Sequence, residues 1–150
     1  MNRKTHIRQT EPFRWEDVPL LAYKEEDGTH FKSVTRQVLF GGGDQAGSEL
    51  RYFEVAPGGH STLERHGHVH CVMVIRGRGH ALVGREVHEL GQNSLVHIPP
   101  MTWHQFRATG QDPLGFLCLV RSDRDRPQRP TARDLESLRA DPGVGAFIRV

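Results

Sequence analysis

The chain has 150 residues, the length of one domain that buries a single core without disulfide staples. Hydrophobic residues make up 36% and charged residues 25%, the ordinary balance of a soluble globular protein. The net charge is only +2 and the arginines are scattered rather than clustered with aromatics, which excludes the electrostatic footprint of a nucleic-acid binder. Cys71 and Cys118 are too few for a disulfide framework, and no C-x-x-C or zinc-finger spacing is present. Both read as free thiols that behave as small buried hydrophobes. The opening MNRKTHIRQTEPFRWEDV has no apolar run, and no later segment approaches a membrane-spanning length. A cytoplasmic protein with no membrane partner is expected.

In chain order, residues 1–12 read as a polar arm, and FRWEDVPLL supplies apolar anchors in Phe13, Trp15, Val18, Leu20 and Leu21. Residues 1–30 are thus an arm and anchor that lie across a barrel or a partner. A polar KEEDGTH turn leads to the strand FKSVTRQVLF, a flexible GGGDQAGS loop and a second strand, ELRYFEVAP, ended by Pro57-Gly58-Gly59. Of Arg51 and Tyr52 on that strand, one must face inward.

The chain is organised around Pro57 to Gly79, PGGHSTLERHGHVHCVMVIRGRG. Glu64, His66, His68 and His70 stand at every second position, so an extended backbone aims all four side chains one way. Three imidazoles and a carboxylate so crowded desolvate badly inside a core unless a cation holds them. The following VHCVMVI is apolar in both alternating sets, with Val72 and Val74 on the ligand face and Cys71, Met73 and Ile75 on the other. A strand apolar on both sides is covered on both sides, and a homodimer partner is the expected second cover.

GHALVGREVHEL reads as two short strands around Gly84-Arg85, GQNSLVHIPP as a turn and strand, and TWHQFRA and LGFLCLV as the last strands. The succession of strands and Gly/Pro turns suggests an antiparallel sandwich or barrel over 31–120. Thr131 caps one short helix over ARDLESLRAD in the tail, 121–150, with Pro142-Gly143 after its finish.

Gly58, five residues, Glu64-Arg65-His66, three residues, His70, six residues and Gly77 follow the spacing of the first cupin motif, with Glu and His exchanged at the first and third ligand positions. Asn93, five residues, Pro99-Pro100-Met101, two residues and His104 follow the second. Asn93 and Met101 replace glycines there, and Ala108 replaces the final Asn; Asn is tolerable because it visits left-handed turns. The chain therefore resembles the cupins over about residues 50–120. The resemblance implies an all-β double-stranded β-helix, a jelly-roll-like barrel, with a short C-terminal helix. It implies one divalent metal ion held by Glu64, His66, His70 and His104, with His68 the alternative to Glu64.

Three imidazoles and a carboxylate leave an octahedral ion two open positions, which suits Fe or Mn, with Zn, Ni, Co or Cu possible. Val72, Val74 and Phe106 are expected to line the pocket, whereas His60, His80, His88 and His97 lie off its register. The resemblance implies a mononuclear metal-dependent enzyme of the oxygenase type acting on a small oxygenated molecule. The cupins also include decarboxylases, isomerases and lyases, and non-catalytic binding or sensing modules.

Overall fold

The structure, a computed structural model, describes residues 4–24 and 28–150. Eleven strands and two C-terminal helices are assigned among them. The arm contributes β1 (Gln9–Glu11), β2 (Arg14–Trp15) and β3 (Leu21–Ala22). The turn expected over 24–30 lies partly outside the described residues. Then come β4 (Lys32–Phe40), β5 (Ser48–His60), β6 (His70–Arg76) and the hairpin β7 (Gly79–Val83) and β8 (Glu86–Leu90). The sheet is completed by β9 (Leu95–Ile98), β10 (His104–Arg107) and β11 (Leu114–Arg121).

All pairings are antiparallel, and the main sheet runs β8-β7-β10-β5-β11-β6-β9, with β4 also on β5 and β3 on β4. β5 makes the curl possible. Its body pairs with β4 and β11, while its last residue, His60, pairs with Arg107 of β10. The expected stop at Pro57-Gly58-Gly59 is instead a bulge within β5: the register with β4 slips between Lys32 and Val34, and Gly58 takes φ 78°. The strand bends there without ending, which closes the sheet over its own core. Val55, Val74, Ile98 and Leu114 are completely buried in that core, and Phe106 stacks on Phe116 at 4.4 Å between ring centres.

Two turns explain the motif substitutions. Asn93 sits at φ 71° and Met101 at φ 53°, left-handed conformations where the cupin pattern has glycine. Asn93 N–H donates to Val74 O at 2.7 Å, and Met101 N–H to His66 O at 2.7 Å, so both turns are pinned to the site-bearing segments.

The tail differs from the expected single helix. Thr131 caps α1 (Ala132–Arg139) in a reciprocal box with Asp134. Pro142 then begins α2 (Pro142–Phe147), because Asp141 accepts from the N–H groups of Gly143 and Val144 and proline suits a first helical turn. Leu138, Val144, Phe147 and Ile148 bury against Leu63 and Leu82, a second cluster outside the barrel. Neither helix is long and apolar enough to cross a membrane.

The anchors Phe13 and Trp15 pack on the ring of Tyr52 at 5.6 and 5.5 Å, so the arm lies across the barrel. Cys71 corrects the expectation of two buried thiols: it is exposed, as are Met73, Leu95 and Leu119 on the same outer face. Met73 stands opposite both Leu95 and Leu117, and Cys71 opposite Leu119, so in the single chain this apolar face is open.

Candidate metal centre

The backbone from Glu64 to His70 is not one continuous strand. Glu64 forms an isolated bridge with His104, the chain bends at Gly67-His68, and β6 begins only at His70. The bend brings donors from three places together. Ring nitrogens of His66, His70 and His104 lie within 4.8 Å of one another, an arrangement that can hold a metal ion.

Hydrogen bonds set the tautomers. His66 Nδ1 lies 2.7 Å from His68 O, and His104 Nδ1 lies 2.9 Å from Thr102 O. A carbonyl only accepts, so each Nδ1 carries the proton and each Nε2 presents its lone pair. His66 Nε2 is buried and has no hydrogen-bond partner among the described residues. An orphaned buried acceptor is rare in folded proteins, and a metal ion would satisfy it. Burial, reinforced by neighbouring imidazoles, pushes His66 down to about 4 and holds His70 well below the usual histidine range. Burial also lowers His104, although Glu64 opposes the shift. All three are therefore neutral at physiological pH, the form that binds metals.

Glu64 and His68 flank this trio differently. Glu64 is buried and its Oε2 lies 2.8 Å from Lys24 Nζ, so its carboxylate is already paired. The His68 ring stacks on His66 at 3.7 Å, and its Nδ1 lies 2.8 Å from Asp125 Oδ1. That carboxylate accepts from His68 Nδ1–H, which leaves the His68 Nε2 lone pair 3.2 Å from His70 Nε2. Two such nitrogens repel unless one carries a proton or both share a cation.

Asp125 also accepts from Gly67 N–H at 2.6 Å and His68 N–H at 3.0 Å, contacts that hold its carboxyl well below the usual range. Gly67 permits this approach, since a Cβ there would sit 3.3 Å from Asp125 Oδ2. Nothing in the spacing of the histidines pointed to this residue.

A cavity of about 580 Å³ opens beside the trio, lined by Glu64, His68, His70, His104, Phe106 and Cys118 among others. Phe106 is where its strand parity placed it. Val72 and Val74 are a correction: both are buried in the barrel core and neither is among the residues lining the cavity. Arg51, not Tyr52, faces the cavity, and Tyr52 donates instead to Glu54 at 2.8 Å. His60, His80, His88 and His97 stay out of the converging group.

Cys118 is the residue that sequence reasoning assigned only to packing. It lines the cavity, and its Sγ lies 3.6 Å from Arg51 Nη2. Burial raises the thiol's pKa, and the guanidinium pulls against that shift. The available signal was parity, because Cys118 alternates with Phe116 on the buried face of β11.

A curled antiparallel barrel with converging histidines at its open end is the arrangement of a cupin, and the family model for the cupin domain matches residues 51–120. The chain belongs to that family. A protein of Rhodospirillum rubrum named 1-methylthio-D-xylulose 5-phosphate methylsulfurylase is 60% identical over 136 residues, spanning 91% of this chain and 86% of the relative. The crystal structure of a cupin 2 conserved barrel domain protein from Rhodopseudomonas palustris superposes with a TM-score of 0.92 at 52% identity, covering 97% of this chain and all of that one. A cupin 2 domain-containing protein from Halorhodospira halophila gives 0.75 at 44% identity, over 99% of both chains.

Proposed function

We propose that this chain is a metal-dependent cupin enzyme that removes the methylthio group from a 1-methylthio-ketose 5-phosphate. The observation that carries the reading is the Cys118 thiol on the wall of the cavity that His70 and His104 also line. The name of the Rhodospirillum rubrum relative supports the substrate. It directs the reading away from the oxygenase chemistry that the cupin resemblance first implied.

His66, His70 and His104 would hold one divalent ion, with Glu64 or His68 beside them. Iron or manganese suits this mixed nitrogen and oxygen set. When bound, the ion supplies a Lewis acid that polarises a carbonyl oxygen. The chain's own residues do the rest. The Cys118 thiolate attacks the substrate sulfur, an S–S bond forms and the C1–S bond breaks. The electron pair enters the C1–C2 enolate of the ketose, and C1 gains a proton that balances the one lost by Cys118. The products are a 1-deoxyketose phosphate and a methyl disulfide on Cys118. A second, external thiol then attacks that disulfide, supplies the two electrons and restores Cys118. Arg51 stabilises the thiolate at the start and the end of this cycle.

The test is incubation of the manganese- or iron-loaded protein with 1-methylthio-D-xylulose 5-phosphate and a small thiol. The expected products are 1-deoxy-D-xylulose 5-phosphate and a mixed methyl disulfide. Without the external thiol, a single turnover should leave an S-methylthio adduct on Cys118, visible by peptide mass spectrometry. Cys118→Ser should keep its metal and lose turnover. Turnover that survives this substitution would sink the assignment.

The open face carrying Cys71, Met73, Leu95 and Leu119 is read as the contact with a second copy, because its apolar rows can pair with themselves across a two-fold axis. Wild type should sediment as a dimer and Met73→Lys/Leu95→Lys as a monomer. A monomeric wild type would overturn this part.

A further inference from the structure

We propose that Arg126 and Arg129, held at the cavity mouth by the segment after β11, form a phosphate-binding subsite that selects phosphorylated sugars over free ones. The inference rests on the sugar-phosphate reading above and names the residues that would enforce it.

Among the described residues, Lys24, Arg36, Arg51, Arg124, Arg126 and Arg129 line the cavity, against one lining carboxylate, Glu64. Most of these cations have partners. Lys24 is paired with Glu64 at 2.8 Å. Arg36 Nε donates to Ala22 O at 3.2 Å. Arg124 reaches Glu49 at 3.2 Å and Arg121 O at 3.1 Å. Arg51 is nine-tenths buried between Cys118 and Glu49, and its Nε has no hydrogen-bond partner among the described residues. Arg126 and Arg129 enter no ion pair among the described residues, and both are exposed at the rim. A cavity wall with this excess of cations favours an anion. Two guanidinium forks with uncommitted donors suit a phosphate dianion better than a carboxylate that one fork would satisfy.

The segment that carries these arginines is anchored at two points. Asp125, between Arg124 and Arg126, accepts from Gly67 N–H, His68 N–H and His68 Nδ1–H. Gln128, between Arg126 and Arg129, exchanges two backbone hydrogen bonds with Arg65, at 2.8 and 3.0 Å. Residues 125 and 128 thus tie the segment to the loop that carries His66 and His68, and the arginines between and beyond them face the cavity. The geometry fixes the phosphate end of a ligand relative to its reacting end at the histidines, which is how binding energy remote from the chemistry orients a substrate.

The test is isothermal titration of the metal-loaded protein with D-xylulose 5-phosphate and, separately, with D-xylulose. Wild type should bind the phosphorylated sugar at least about tenfold more tightly, and Arg126→Gln/Arg129→Gln should abolish that preference. Metal content and the reaction of Cys118 with methyl methanethiosulfonate should be unchanged in the variant, which shows that it is folded. Equal binding of the two sugars by wild type, or a preserved preference in the double variant, would overturn the proposal. Neither sugar carries a methylthio group, so loss of the methylsulfur reading would register in the turnover assay and not in this one.

Discussion

Arg51 Nη2 lies 3.6 Å from Cys118 Sγ, inside the cavity that the histidine centre shares. The guanidinium is held over the Phe53 ring at 4.8 Å, and its Nε is 3.6 Å from Glu49 Oε1. A packed cation beside a buried thiol has one electrostatic consequence: it favours the thiolate that burial disfavours. Arg51→Met should therefore slow the reaction of Cys118 with methyl methanethiosulfonate several-fold at neutral pH. The rate profile should move to higher pH, since the lost charge had lowered the thiol's pKa. An unchanged profile would mean that the contact is only packing.

The three converging imidazoles make a prediction about metal content. His66→Ala, His70→Ala and His104→Ala should each lose at least about tenfold in affinity for manganese or iron, measured by elemental analysis after dialysis against graded chelator. His97→Ala, on the outer face of β9, should retain the ion. Equal retention by all four would remove the centre from the account.

Acid should destabilise the chelated protein in a defined window. Burial lowers His66 from its ordinary 6.5 to about 4, and His70 and His104 shift the same way. Between those values the unfolded chain binds more protons than the folded one, so stability is present above about 6.5 and declines as pH falls toward 4. Urea midpoints across that range should fall with pH, and added metal should oppose the fall where the imidazoles can still bind it. A flat response would show that these imidazoles are not held neutral by burial.

Asp125 offers a test of the loop's second anchor. Asp125→Ala leaves Gly67 N–H, His68 N–H and His68 Nδ1–H without their acceptor. The expected outcome is a lower Tm with metal binding weakened by about tenfold, the usual size for a partner behind a ligand shell. Asp125→Asn keeps one acceptor oxygen and should recover part of both. If neither variant changes metal retention, the clamp does not position the centre.

Much of the centre was legible from residue spacing because its ligands are close in the chain. His66 and His70 sit on one short segment, and His104 follows a Pro-Pro turn at a recognisable interval. The left-handed turn at Asn93 was readable too, since few residues other than glycine adopt it. The bulge at Gly58 was not. The same Pro-Gly-Gly that ends an isolated strand only bends one that has partners on both sides.

What the sequence determined alone is which residue types alternate, and so the apolar faces, the paired motifs and the cluster of imidazoles that requires a cation. Alternation says which side of a strand a residue occupies, but not which strand lies beside it. Only the tertiary structure put β11 between β5 and β6, and with it Cys118 opposite Arg51 and Val72. It also folded the segment after β11 back onto Gly67 and His68, bringing Asp125 and the cavity arginines to the site. These contacts are made by hydrogen bonds and packing between residues more than fifty positions apart, and local spacing carries no trace of such distances.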